Sequence, residues 1–94
     1  MNYNQRNAIR AYVLIKTKPG TAKRTIREVS KVNGVLSSDA LWGMYDGIAI
    51  VEAGGLNELD EIVCHNIKLI ENVKDTMTLI NKDLEIPDSP NESD

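Results

Sequence analysis

The sequence predicts an α+β fold whose elements run β-α-β-β-α-β. Three observations carry that prediction. Four segments have the β-branched and aromatic composition of strands, two stretches repeat their apolar residues every three or four positions, and Gly or Pro stands at most of the junctions. Ninety-four residues suffice for one such domain, since two would leave neither with an interior. The expected division is an N-terminal arm over 1–9, a domain over 10–81 and an acidic, disordered tail over 82–94, where residues 83–94 hold five acids, two prolines and no base.

The first strand is Ala11 to Thr17, apolar at both Ala11/Val13/Ile15 and Tyr12/Leu14 and stopped by Lys18-Pro19-Gly20. Ala22, Ile26 and Val29 then mark one face of a helix from about Thr21 to Asn33, with Lys23, Arg24, Arg27 and Lys31 on the other side and Gly34 closing it. Val35 to Trp42 and Ile48 to Ala53 read as two strands of a hairpin around the turn 43–47. Leu56, Leu59, Ile62, Val63, Ile67 and Ile70 mark a second amphipathic helix after Gly54-Gly55, with Asn57, Glu58, Asp60 and Glu61 supplying a cap and acids suited to its N-terminus. Val73 to Ile80 alternates as a fourth strand.

This order is that of a ferredoxin-like βαββαβ sandwich, with both helices on one face of an antiparallel sheet. The other face is left uncovered, yet the first and third strands are apolar on both sides, where a solvated sheet face is polar. Two copies packed sheet to sheet, forming a dimeric α/β barrel, account for that pattern. A small chain buries a modest share of its surface, which also favours self-association.

Composition excludes several classes of function. With 41% apolar residues the chain can build a core, so it is not disordered throughout. A lone Cys64 cannot make an internal disulfide, and neither a signal-peptide core nor a stretch of membrane-spanning length is seen in these residues, so the expectation is a cytoplasmic protein off the membrane. Formal charge is −3, but residues 1–34 hold eight Lys or Arg against Glu28 alone, while the remaining sixty hold three Lys against thirteen acids. That asymmetry reads as oppositely charged faces of one small fold, or as a basic surface for a partner.

Chemistry candidates are few. Cys64 and His65 are adjacent on a helix and so point about 100° apart, a poor arrangement for joint metal ligation, and no third group orients either for nucleophilic catalysis. No cofactor is expected, and the reading is non-enzymatic. Gly54-Gly55 precedes a helix, but the acids that follow repel an anion and no Gly-Lys-Ser/Thr motif is present. The turn around Trp42-Gly43-Met44-Tyr45-Asp46-Gly47 is richer. Its glycines permit close backbone approach, Trp42 and Tyr45 offer flat apolar walls, and Asp46 can hold an ammonium group.

At these residues the sequence resembles the ligand-binding (RAM) domain of the Lrp/AsnC family of amino-acid-responsive regulators. The resemblance spans about residues 10 to 80: a Pro-Gly loop after the first strand, the Gly-x-Tyr-Asp turn Gly43-Met44-Tyr45-Asp46, and a last strand Val73-Lys74-Asp75-Thr76-Met77-Thr78 similar to the family's Val-x-x-Thr-x-Thr. It implies dimers that assemble into rings, often octamers, with an amino acid or small metabolite between the turn of one subunit and the last strand of another. Ligand contacts implied here are Trp42, Gly43, Tyr45, Asp46, Thr76 and Thr78, with Asp46 meeting the amino group and the threonines giving hydroxyls. Only about ten residues precede the first strand, so the expectation is a stand-alone form without the family's helix-turn-helix and without direct DNA binding. The alternative is a module that co-assembles with a full-length Lrp/AsnC-type regulator without binding a ligand. A barrel enzyme of the monooxygenase type shares the fold, but only His65, on a helix, would serve its chemistry.

Overall fold

The computed structural model describes residues 8–81. The N-terminal arm up to residue 7 and the acidic tail from residue 82 lie outside the described residues. The elements are β1 (Ile9–Thr17), α1 (Ala22–Val29), β2 (Val35–Ala40), β3 (Gly47–Ala53), α2 (Leu56–Ile62) continued by a π-helical turn (Val63–Ile67), and β4 (Val73–Ile80). They form one antiparallel sheet in the order β2-β3-β1-β4, so the expected α+β, ferredoxin-like architecture holds.

The register sorts every strand residue onto a face, because residues directly opposite in an antiparallel ladder share a side. Val13 lies opposite Ala49 and Thr78, and Ile15 opposite Gly47 and Thr76. Both helices cover this side. Ile9, Ala11, Val13, Ile15, Ala49 and Val51 from the strands meet Ile26 and Val29 of α1, Leu59 and Ile62 of α2, and Val63 and Ile67 of the π turn in one buried cluster. Gly47 sits where α1 approaches closest: a Cβ there would collide with the Ile26 side chain.

Several boundaries differ from the sequence reading. Strand β1 begins at Ile9, two residues before the expected Ala11, and its buried side chain belongs to the core. Helix α1 stops at Val29, not Asn33. The Ser30 hydroxyl donates to the Arg27 carbonyl at 2.6 Å, and Lys31 and Val32 tighten to i→i+3 bonds before Gly34 turns the chain at φ +98°. Strand β2 stops at Ala40; the Leu41 amide donates to the Asp46 carbonyl at 2.8 Å as the last rung before the turn, and Trp42 lies outside the ladder. The second helix is interrupted by the π turn, where the Lys68 amide reaches back five residues to the Val63 carbonyl at 2.9 Å. At its start the N-cap is Gly55, with no side-chain cap; Glu58 in the first turn accepts the Gly54 amide at 2.9 Å, and Asn57 is inside the helix.

The second sheet face has no helix over it. Tyr12, Leu14, Ile48, Ile50, Met77 and Leu79 share it by register, flanked by Arg10, Lys16, Ser37, Asp39, Glu52 and Asp75. Met77 and Leu79 are about half exposed. Arg10 and Glu52 form an exposed ion pair at 3.4 Å across its margin.

Candidate functional site

Turn 41–46 closes the β2–β3 hairpin and stands at the end of the sheet where β1 finishes. Asp46 anchors it. Its amide donates to the Ile15 carbonyl at 2.8 Å, its carbonyl accepts from Leu41, and its Oδ2 accepts the Thr17 amide at 2.8 Å. One oxygen of this carboxylate therefore holds the end of β1 to the hairpin, at the place where the ladder between β1 and β4 shifts register. Asp46 thus has an anchoring role that the sequence pattern alone does not reveal.

Tyr45 folds onto the uncovered face. Its hydroxyl donates to Met77 Sδ at 3.6 Å, and Lys16 Nζ stands 5.8 Å from its ring centroid, within cation–π reach. The ring thereby spans from β1 to the edge strand β4. Lys16 and Met77 were missed as neighbours of this turn, since nothing local in the sequence links positions 16, 45 and 77. Gly43 adopts φ +141°, a region L-residues avoid, and an added Cβ would meet no atom within 4 Å, so its glycine answers a backbone need. Trp42 is fully exposed and Met44 80% exposed, a projecting apolar tip that no described residue covers.

Thr76 and Thr78 lie elsewhere. Opposite Ile15 and Val13, they are on the helix-covered side of β4, whereas Tyr45 contacts Met77 on the other side. Thr78 borders a cleft of about 230 Å³ between β4 and α2, lined also by Leu56, Leu59, Asp60, Val63 and Cys64. Within one chain the six expected residues are thus divided among the projecting tip (Trp42, Gly43), the uncovered face (Tyr45), the strand anchor (Asp46) and the far side of β4 (Thr76, Thr78).

Cys64 is exposed, and its thiol donates to Asp60 Oδ1 at 3.3 Å. This hydrogen bond, with smaller contributions from burial and the negative charge of Asp60, pushes the thiol above its ordinary pKa, against a weaker opposing pull from Lys68. Such a thiol is a poor nucleophile near neutral pH. His65 is exposed on the π turn. Among the described residues no group of three or more His, Cys, Asp or Glu gathers to hold a metal, and no helix is long and apolar enough to cross a membrane.

The fold is shared with AsnC-type proteins, which are among its neighbours in solved structures. TTHA0845 from Thermus thermophilus is 27% identical over 83% of this chain and 98% of its own, with a TM-score of 0.75. AsnC of E. coli is 18% identical, covers 83% of this chain and superposes with a TM-score of 0.74. The transcriptional regulator NMB0573 of Neisseria meningitidis, solved as a complex with L-Met, is 18% identical over 92% of this chain, with a TM-score of 0.73. The present chain spans nearly all of TTHA0845 but only 53% of AsnC and 58% of NMB0573. AsnC and the regulator NMB0573 share its fold. No protein-family model and no curated protein matches the chain.

Proposed function

We propose that this chain is a non-enzymatic, cytoplasmic effector-binding module that works as an oligomer and takes an amino acid or a similar small metabolite. The observation that carries the reading is the uncovered sheet face. Tyr12, Leu14, Ile48, Ile50, Met77 and Leu79 form a continuous apolar surface across three strands, the kind of patch that marks an interface. A second copy laid against it buries all six. The split of the site residues fits the same picture, because turn 42–46 and the threonines of β4, on different sides of one subunit, come together only when different subunits supply them.

In this assembly Trp42 and Gly43 form the mouth of a pocket, Thr76 and Thr78 of a neighbouring subunit give hydroxyls, and the carboxylate oxygen of Asp46 that does not hold Thr17 meets the ligand's ammonium group. That NMB0573 was crystallised with L-Met supports an amino acid as the ligand class. Co-assembly with a DNA-binding regulator of the same fold would link the module to DNA.

The test pairs light scattering with a thermal-shift screen of the amino acids and related metabolites. Particles of two or more chains, and a rise in Tm with one ligand class, are expected; a ligand at about 100 times its Kd adds about 2.7 kcal/mol. A monodisperse single chain would end the oligomer reading, and a flat screen the sensing one.

A further inference from the structure

The charge asymmetry of the sequence is not used by the sheet interface or by the candidate site. In the structure it becomes a surface. Residues 8–81 carry nine Lys or Arg and nine Asp or Glu, so the body is neutral overall but divided. Helix α1 and the turn after it expose Lys23, Arg24, Arg27 and Lys31, and only Lys31 is paired, with Glu28 at 3.3 Å. Among the described residues Lys23, Arg24 and Arg27 form no ion pair. Helix α2 exposes Glu58, Asp60 and Glu61, and among the described residues none of these acids forms one either.

Both helices pack on the same side of the sheet, since Ile26 and Val29 of α1 and Leu59 and Ile62 of α2 enter one core. Their outward sides therefore form one layer, positive along α1 and negative along α2. We infer that this layer is a second interface between copies of this chain, with α1 of one copy on α2 of the other. Charge selects the geometry. A two-fold axis running along the helices sets each α1 over the partner's α2 and makes two identical attractive contacts. An axis running across them sets α1 on α1 and α2 on α2, which like charges oppose.

A polyanion such as a nucleic acid is the competing occupant of the basic stripe. The observations favour the second copy, because a body with no net charge and an acidic helix beside the stripe lacks the single-sign field that draws in a long polyanion. The exposed apolar Leu56, which lines a cleft with Asp60, adds surface that a protein partner buries and a phosphate backbone does not. This interface lies on the opposite side of the molecule from the sheet-to-sheet contact and goes beyond the proposed sensing role.

Two double variants at exposed positions test it in the full chain: Arg24→Glu with Arg27→Glu, and Asp60→Lys with Glu61→Lys. Sedimentation velocity of the native chain should show at least a twofold fall in particle mass between about 50 mM and about 500 mM NaCl, as screening shortens the reach of exposed charges. Each variant alone should give the smaller particle even at low salt, and an equimolar mixture should restore the larger one, because an acidic layer then meets a basic layer. A native mass indifferent to salt, variants that keep the larger particle, or a mixture that stays small would overturn the proposal. So would binding of a fluorescein-labelled single-stranded oligonucleotide that Arg24→Glu/Arg27→Glu abolishes with no change in mass. A smaller particle of one chain instead of two would count against the sheet-to-sheet dimer and leave this interface standing.

Discussion

The two faces of this sheet are built from the same strands and almost the same residue types, yet they end in different environments. On the helix side Ala11, Val13 and Ile15 are fully buried, and on the other side their neighbours Tyr12 and Leu14 are only partly covered. Burial within one chain therefore explains half of each strand. The other half is apolar without a partner among the described residues, and that difference separates residues that hold the monomer together from residues that the proposed sheet-to-sheet contact would bury.

Substitutions on adjacent residues of β1 break the comparison most directly. Ile15→Ala removes a fully buried side chain and should lower unfolding free energy by about 2–5 kcal/mol in a urea titration. Leu14→Lys, one residue away, should leave the far-UV circular dichroism intact and reduce the particle mass in light scattering. If Leu14→Lys unfolds the chain without first dissociating it, the two faces are not different in kind.

Asp46 and Tyr45 sharpen the contrast within the turn. Asp46→Ala leaves the Thr17 amide without its acceptor and should cost about 1–3 kcal/mol, so its effect on any ligand-dependent shift must be read against that loss. Tyr45→Phe gives up only a weak hydroxyl contact to Met77 and should change stability by less than about 0.5 kcal/mol. A change in ligand-induced Tm in Tyr45→Phe therefore reports on the site with little contribution from the fold.

The smallest effect belongs to the helix side. Asp60 raises the Cys64 pKa, so removing its charge lowers that pKa and increases the thiolate fraction at any pH below it. Asp60→Asn should accelerate iodoacetamide alkylation at about pH 8 by less than about tenfold. A slower or unchanged rate would mean that access to the cleft at Thr78, not the carboxylate, limits the thiol.

Most of the architecture is legible in the sequence because it depends on local periodicity. Strand alternation places β4 at Val73–Ile80, and the three- and four-residue spacing finds both helices. The ends of α1 and β2 depend on local hydrogen bonds that periodicity does not encode: the Ser30 hydroxyl meets the Arg27 carbonyl where α1 stops, and the Leu41–Asp46 bond is the last rung after β2. No periodicity signals the π turn, since it inserts one residue into a helix whose apolar face continues through Ile67.

The site divides along the same line. Residue types and their order in the turn were enough to single out Gly43, Tyr45 and Asp46, because positive φ, an aromatic ring and a carboxylate are properties of the residues themselves. Their partners are 29 and 32 positions away in the chain, Thr17 for Asp46 and Met77 for Tyr45, and only the closed sheet brings them together. The sequence by itself determined that both sides of the sheet are apolar and that charge is segregated along the chain. Tertiary structure alone decided which side the helices cover, that Thr76 and Thr78 fall on that covered side while Tyr45 does not, and that the basic and acidic stretches emerge as neighbouring stripes of one layer. The physical reason is that alternation and charge are written residue by residue, whereas a face exists only after strands distant in sequence have paired.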